Sequence, residues 1–290
     1  MIRHLRAIEM PIRIVGIDVQ NAPDVAADRV LQIDLSDTES IKQALQLEAP
    51  NIVVHLAGLM PPADENQMMA ANVDASVNLL KCIQELKTTP TRVICAGSAS
   101  EYGSASDNPS EESGCKPTTA YGTSKYIQTS RSLSFNSQLL EIIVARPFNL
   151  IGPGLSENLV AGGLLKQFLS LTSSKDIVIP KGPVESIRDF IDVRDVVSAY
   201  WKLATTGRAG HLYNVCTGKG TSIAELIAMM QRRLGKHAVI VPDYDSTKVS
   251  ADTSIGQNRK LAALGWQPRH SVDESVNAMI DAATTSPARR

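Results

Sequence analysis

Alternation is the feature that most limits what this chain can fold into. Five short, nearly continuous apolar runs occupy the first half: IRIVGID (12–18), RVLQID (29–34), NIVVHLAG (51–58), RVICAGS (92–98) and LEIIVARPF (140–148). Each is the length of a strand and too short for a helix. Helix-period segments lie between them. In SDTESIKQALQL, Ser36 is a candidate cap with Glu39 three residues on. After the third run, Met69, Val73, Val77 and Leu80 fall on one helical face. Another helix is expected from about Ala120, after a loop rich in Ser, Pro and Gly. A strand that is apolar on both sides must be covered on both faces, and alternating helices supply that cover. The pattern therefore predicts an α/β fold with a doubly wound parallel sheet, whose ligands bind at the carboxyl ends of the strands.

From about residue 151 the pattern loosens, with helices expected near 160–171, 193–204 and 222–234. This reads as two domains: 1–150, and a smaller, partly discontinuous C-terminal lobe at 151–290. The terminal SPARR is expected to fray. A length of 290 residues allows one large or two modest domains. With 43% hydrophobic and 20% charged residues, disorder and collagen-like repeats are excluded. A net charge of -1 gives no electrostatic reason to bind nucleic acid or an anionic membrane. Apolar runs never approach the roughly 20 residues of a membrane span, and Glu9, Pro11 and Arg13 interrupt any leader-like core. Cys82, Cys95, Cys115 and Cys216 are widely spaced, which reads as reduced thiols in a soluble cytoplasmic protein.

Tyr121 and Lys125 lie in YGTSK on a predicted helix, one turn apart and so on one face. A neighbouring ammonium favours the ionised phenol, so such a pair can serve as a general acid–base group. The spacing alone is weak, because composition predicts about 0.3 chance matches of this kind. Ser98 strengthens it, standing at the carboxyl end of the RVICAGS strand where a short hydroxyl can hold a substrate oxygen; otherwise such a serine satisfies loop backbone. His4, His55, His211, His237 and His270 show no ligand spacing, and no metal is expected. His55 and the two tryptophans, Trp201 and Trp266, read as packing residues. A GxSxG elbow is absent from the sequence.

Seven pieces spread over most of the chain, IVVHLAG, NVDASVNLL, GSASEYG, PTTAYGTSK, ARPFNLIGPG, IRDFIDVRDVV and LYNVCTGKGTSIAEL, resemble the extended short-chain dehydrogenase/reductase family. That family holds the NAD-dependent nucleotide-sugar epimerases, dehydratases and reductases. ARPFNLIGPG and RDFIDVRDVVSAYW are most similar to reductases acting on GDP-4-keto-6-deoxy-mannose. The resemblance implies a Rossmann-like dinucleotide-binding domain followed by a substrate lobe. It also implies a catalytic triad in which Ser98 and Tyr121 hydrogen-bond the sugar C4 oxygen and Lys125 tunes Tyr121 and binds the nicotinamide ribose.

For the cofactor, the resemblance matches Asp18 to the acid on the adenosine ribose, Asp34 and Leu35 to the adenine side, and Ala57 and Gly58 to the turn beneath. The cofactor is thus NAD or NADP, with NAD favoured because the Asp18 charge repels a 2′-phosphate. Asn149 and Arg188 match positions that hold the substrate diphosphate, a task suited to a guanidinium. Dehydratases carry an acid two residues after the triad hydroxyl; here that position is Ser100, and Glu101 follows with a different direction, which favours reduction or C4 epimerisation. A homodimer built on helices near 69–87 and 120–133 is also implied.

The family's opening strand and its GxxGxxG phosphate loop have no counterpart in this sequence. By the family's spacing, Met1 falls just after the last motif glycine and residues 1–10 continue the first helix. Roughly five apolar side chains of a central strand, at about 1.5–3 kcal/mol each, are comparable to a whole domain's stability of about 5–15 kcal/mol. Two expectations follow: a start internal to a longer product, or a replaced strand with ordinary cofactor binding given up. The second makes the chain a non-redox relic that binds a nucleotide sugar or a protein partner.

Overall fold

The computed structural model describes residues 1–8, 11–20, 26–86, 90–103, 106–171, 176–179, 183–236, 239–242 and 251–285. Glu9, His237 and the terminal SPARR lie outside the described residues. The first half runs α1 (Ile2–Arg6), β1 (Val15–Asp18), β2 (Arg29–Gln32), α2 (Thr38–Glu48), β3 (Ile52–His55), α3 (Glu65–Met68), a π-helical turn (Met69–Asp74), α4 (Ala75–Leu86), β4 (Thr91–Ala96), α5 (Ala120–Ser134) and β5 (Leu140–Pro147). There follow β6 (Asn149–Ile151), α6 (Val160–Ser170), β7 (Asp176–Ile179), β8 (Ile187–Arg188), β9 (Phe190–Asp192), α7 (Val193–Thr206) and β10 (His211–Val215). Last come β11 (Thr221–Ser222), α8 (Ile223–Leu234), β12 (Val239–Pro242), β13 (Thr253–Ser254), α9 (Arg259–Ala262) and α10 (Val272–Thr285). Two units interleave along the chain: Met1–Gly103, Cys115–Arg146 and Val197–Tyr213 in one, and Ser104–Gly114, Pro147–Val196 and Asn214–Arg290 in the other.

In the first unit, β3, β4 and β5 pair in parallel, with Val53 opposite Val93 and Cys95 opposite Val144. The sheet order is β10-β5-β4-β3. Val93, Ile142 and Val144 are fully buried with Ile41 of α2 and Leu80 and Ile83 of α4, as continuous apolar strands under helices must be. β1 and β2 form a separate parallel pair. Among the described residues the parallel sheet is thus in two pieces, broken between β1 and β3. In a doubly wound order the first strand lies at that place, so this is the fold expected of a sheet lacking its usual first strand. Ile17, Val19, Ile52, Leu56 and Leu59 sit on or just after the two strands flanking the break, and all are exposed.

Two local expectations are corrected. Ser36 does not cap α2: its amide is taken by the Asp34 carboxylate at 2.8 Å, and Asp37 caps instead, accepting from the Glu39 and Ser40 amides. The helical face of Met69, Val73, Val77 and Leu80 is not the buried one throughout. The π turn inserts an extra residue, so the buried set becomes Met68, Asn72, Val73, Ser76, Leu79, Leu80, Cys82 and Ile83.

The second unit has its own core, with Phe168 of α6, Leu226 and Met230 of α8 and Ile280 of α10 packed around Ile151 and Phe190. Ser222 starts α8 with a capping box to Glu225, and Gly235 ends it at φ 62°. Trp266 is buried. No helix among the described residues is long and apolar enough to cross a membrane.

Candidate active site

β4 ends at Ala96, and Ser98 starts the 3₁₀ turn Ala99–Glu101 in extended backbone. The Ser98 hydroxyl accepts from the Ser100 amide, and the Ser98 amide donates to Glu101 Oε1 at 2.8 Å. Thr119 caps α5 by accepting from the Gly122 amide, which sets Tyr121 in the first turn and Lys125 one turn on. The Tyr121 phenol faces the Ser98 hydroxyl, which works to lower the phenol pKa. Lys125 Nζ donates to the Ala96 carbonyl at 2.5 Å. The structure thus brings Ser98, Tyr121 and Lys125 together at the carboxyl end of β4.

Their electrostatics differ from the simple spacing argument. Burial raises the Tyr121 phenol above its ordinary range, against the pull of the Ser98 hydrogen bond, and Glu101 adds to the rise. Lys125 does not offset this: its side chain is buried and aimed at a backbone carbonyl. Burial lowers Lys125 to about 8, with Glu101 and Cys95 pulling the other way. The phenol therefore holds its proton across the neutral range, which suits a proton donor.

A buried polar chain supports the site from below. The single hydroxyl proton of Ser76 goes to the Asn72 carbonyl at 2.6 Å. The other contacts of Ser76, His55 Nε2 at 2.7 Å and Gln128 Nε2 at 2.8 Å, must then donate to it. His55 is pushed down to about 4, first by burial and then by Lys125, and so is neutral at pH 7. Asn72, inside the π turn, exchanges two hydrogen bonds with the Leu59 backbone and donates to Ser124 Oγ, which donates to the Tyr121 carbonyl. A Cβ on Gly58 would come within 2.5 Å of Asn72 Oδ1, so only glycine admits this clamp. Sequence reasoning missed Asn72, Ser76, Ser124 and Gln128; polar residues on an otherwise apolar helical face were the available signal.

Glu101 faces inward and is fully buried. Oε1 accepts from the Ser98 amide and Thr129 Oγ1, and Oε2 accepts from Arg146 Nε and Nη2. Burial raises its carboxyl, with Arg146 opposing. Ser100, in the position where dehydratases place an acid, is exposed.

Of the remaining sequence-derived residues, Asp18 ends β1 exposed, accepting from the Gln20 amide. Asp34 is exposed, held low by the Ser36 amide. Leu35 packs against the core and its carbonyl accepts from Asn78. Ala57 and Gly58 follow β3 and are exposed. In the second unit, Asn149 in β6 donates to the Asp189 carbonyl from its backbone N–H at 3.0 Å and from its side-chain Nδ2 at 3.4 Å. Arg188 in β8 is committed to Asp252, with Nη2 to Oδ1 at 2.7 Å. Asp189 beside it is fully buried, accepting from Thr217, Gly218 and Gly256 amides.

The sequence profile described as the NAD dependent epimerase/dehydratase family matches residues 3–216. Among curated proteins, GDP-6-deoxy-D-mannose reductase of Pseudomonas aeruginosa is 30% identical over 258 residues, covering 85% of this chain and 84% of that protein. GDP-6-deoxy-D-talose 4-dehydrogenase of Aggregatibacter actinomycetemcomitans is 28% identical over 258 residues, covering 86% and 84%. Among solved structures, RMD from Pseudomonas aeruginosa complexed with NADPH superposes with a TM-score of 0.78 at 28% identity, covering 89% of this chain and 91% of that one.

Proposed function

Because this chain belongs to the NAD dependent epimerase/dehydratase family, we propose that it is a nucleotide-sugar oxidoreductase that reduces the 4-keto group of a nucleotide-linked 6-deoxysugar. The observation that carries this is the meeting of the Ser98 hydroxyl, the Tyr121 phenol and buried Lys125 at the end of β4. Ser98 would donate to the sugar C4 oxygen and fix its place. Tyr121, protonated at neutral pH, would deliver its proton to that oxygen as the carbonyl is reduced. Lys125 as an ammonium would stabilise the phenolate that results, and water would return the proton to it after product leaves. A bound nicotinamide dinucleotide, NAD or NADP, would supply the hydride. Asp18, Asp34, Leu35, Ala57, Gly58 and Lys125 are the residues that would hold it. They fit its adenosine and nicotinamide ends: exposed carboxylates and an exposed turn follow the strands, and an amine lies beside the phenol. The sequence offers no glycine-rich loop for the diphosphate. Asn149 and Arg188 would bind the substrate diphosphate, and the Asp18 charge favours NAD.

Reduction is preferred to dehydration because the acid nearest the triad serine is sealed against Arg146, leaving Ser100 where an acid is required. C4 epimerisation uses the same three residues and is the alternative outcome of the same assay. A second reading, a nucleotide-sugar or partner-binding protein without redox turnover, is favoured by the break between β1 and β3. A homodimer through α4 and α5, in the cytoplasm, belongs to the first reading.

Titration with NADH and with NADPH, followed by nicotinamide fluorescence, separates the two. Saturable enhancement, then loss of 340 nm absorbance with GDP-4-keto-6-deoxy-mannose, supports the oxidoreductase. Replacing Tyr121 by Phe should then lower kcat about 10²- to 10⁴-fold without weakening cofactor binding. Silence with both nucleotides leaves only the binding protein.

A further inference from the structure

Glu101 is a buried titratable group beside the site that the proposed chemistry leaves unused, and its surroundings are specific. An ordinary capping box sits at the surface, where its acid is solvated. Here the acid is fully buried, and its contacts come from three elements: the Ser98 amide, Thr129 of the Tyr121 helix, and the Arg146 guanidinium at the end of β5. Arg146 is itself stacked 4.7 Å from the centre of the Tyr102 ring. Gly97 makes room, since a Cβ there would meet Glu101 Oε1 at 2.6 Å. Its amide is tied to β5 through the Ala145 carbonyl at 2.7 Å. Burying an ion pair is a poor way to add stability, because desolvation of both charges offsets their attraction. What this pair does add is direction: three elements are locked to the backbone of a single serine.

We propose that Glu101 is a positioning residue which, held by Arg146, fixes the Ser98 backbone so that the serine hydroxyl meets Tyr121 and the substrate oxygen. This rests on the oxidoreductase reading for its kinetic consequence, while its structural part stands without it. Glu101 is fully buried, so its positioning effect passes through the Ser98 backbone, while its charge acts on Tyr121 and Lys125 from a distance.

A double-mutant cycle between Glu101→Ala and Ser98→Ala tests this. In folded, cofactor-titrated protein, Glu101→Ala should lower kcat on the order of tenfold to a hundredfold, as misplacement of a reacting group does. Cofactor affinity should stay within about threefold. On the Ser98→Ala background the same substitution should cost less than about threefold, because the two act as one unit. Losses that multiply, or a folded Glu101→Ala protein with full kcat, overturn the proposal. If the alanine variant does not fold, Glu101→Gln replaces it: one amide oxygen cannot serve both the Ser98 amide and the Arg146 guanidinium. Amide exchange on the ligand-free Glu101→Gln protein gives a readout free of turnover. Faster exchange at Ser98, with the β5 amides unchanged, supports the positioning role even if the wild type reduces no nucleotide sugar, a result that would overturn only the oxidoreductase reading. Unchanged protection at Ser98 overturns the positioning role.

Discussion

Asn72 Nδ2 lies 2.8 Å from the Ser124 hydroxyl, and this contact ties the loop after β3 to the helix that carries Tyr121 and Lys125. The same amide holds the Leu59 backbone from both sides. Asn72→Ala would leave the Leu59 amide and carbonyl unpaired in a half-buried place and remove the link to Ser124. Each unsatisfied group costs about 1–3 kcal/mol, so urea unfolding should show a loss of about 2–6 kcal/mol. A loss under about 1 kcal/mol would mean water replaces the side chain.

Lys125 carries a stability cost that its chemistry requires. Burial lowers its ammonium from 10.5 to about 8. The folded state therefore binds fewer protons than the unfolded state between pH 8 and 10.5, and stability contributed by this group rises across that window and is lowest below it. Lys125→Met removes the buried charge. It should stabilise the chain on the order of 2–3 kcal/mol at pH 7, with the gain shrinking toward nothing above pH 10.5, while activity is lost. Denaturant melts of both proteins at pH 7 and pH 10.5 decide it; an equal difference at the two values would refute the assignment.

His55 works on the acid side. Its folded value near 4 lies below the ordinary 6.5, so the unfolded state takes up the proton first as pH falls. Stability from this residue is whole above pH 6.5 and drains as pH falls toward 4, on the order of 3 kcal/mol in all. His55→Gln keeps a donor for Ser76 and should flatten that part of the pH–stability curve. Parallel curves for the two proteins between pH 6.5 and 4 would contradict this.

Arg188 and Asp252 form a pair that substrate must compete with. Burial works to raise the Asp252 carboxyl, but Arg188 and Ser186 override it and hold it low. If the guanidinium takes the substrate diphosphate, Arg188→Ala should raise KM for the nucleotide sugar tenfold or more, about the loss of one charge-assisted contact. NAD(P)H affinity should stay unchanged. Asp252→Asn should lower KM by freeing the guanidinium. A KM insensitive to both substitutions removes Arg188 from the substrate site.

Much of the first unit was legible because its strands are apolar on both faces. RVICAGS and LEIIVARPF read as buried strands before any contact is known, and they pair in register as β4 and β5. Ser98, Tyr121 and Lys125 could be named because strand ends and helical spacing are one-dimensional properties. Ser36 was misjudged because Ser36 and Asp37 are both good caps, and only the fold shows that the Asp37 carboxylate is the one that accepts from the Glu39 and Ser40 amides. The face of the helix after β3 was misread because a π turn changes the period, and nothing in a four-residue repeat announces the inserted residue.

By itself the sequence determined the order of strands and helices, the family, and which hydroxyl, phenol and amine lie near one strand end, since these depend on apolar pattern and spacing. Only the tertiary structure decided the rest. The Tyr121 phenol is raised rather than lowered, because desolvation outweighs the pull of the Ser98 hydroxyl, while the Lys125 ammonium is aimed at Ala96. Glu101 turns away from the substrate side, because Arg146, forty-five residues along the chain, is where a buried carboxylate finds its counter-charge. The break between β1 and β3 likewise exists only in space. Burial and partner choice are set by residues far apart in sequence, and the folded chain alone brings them within reach.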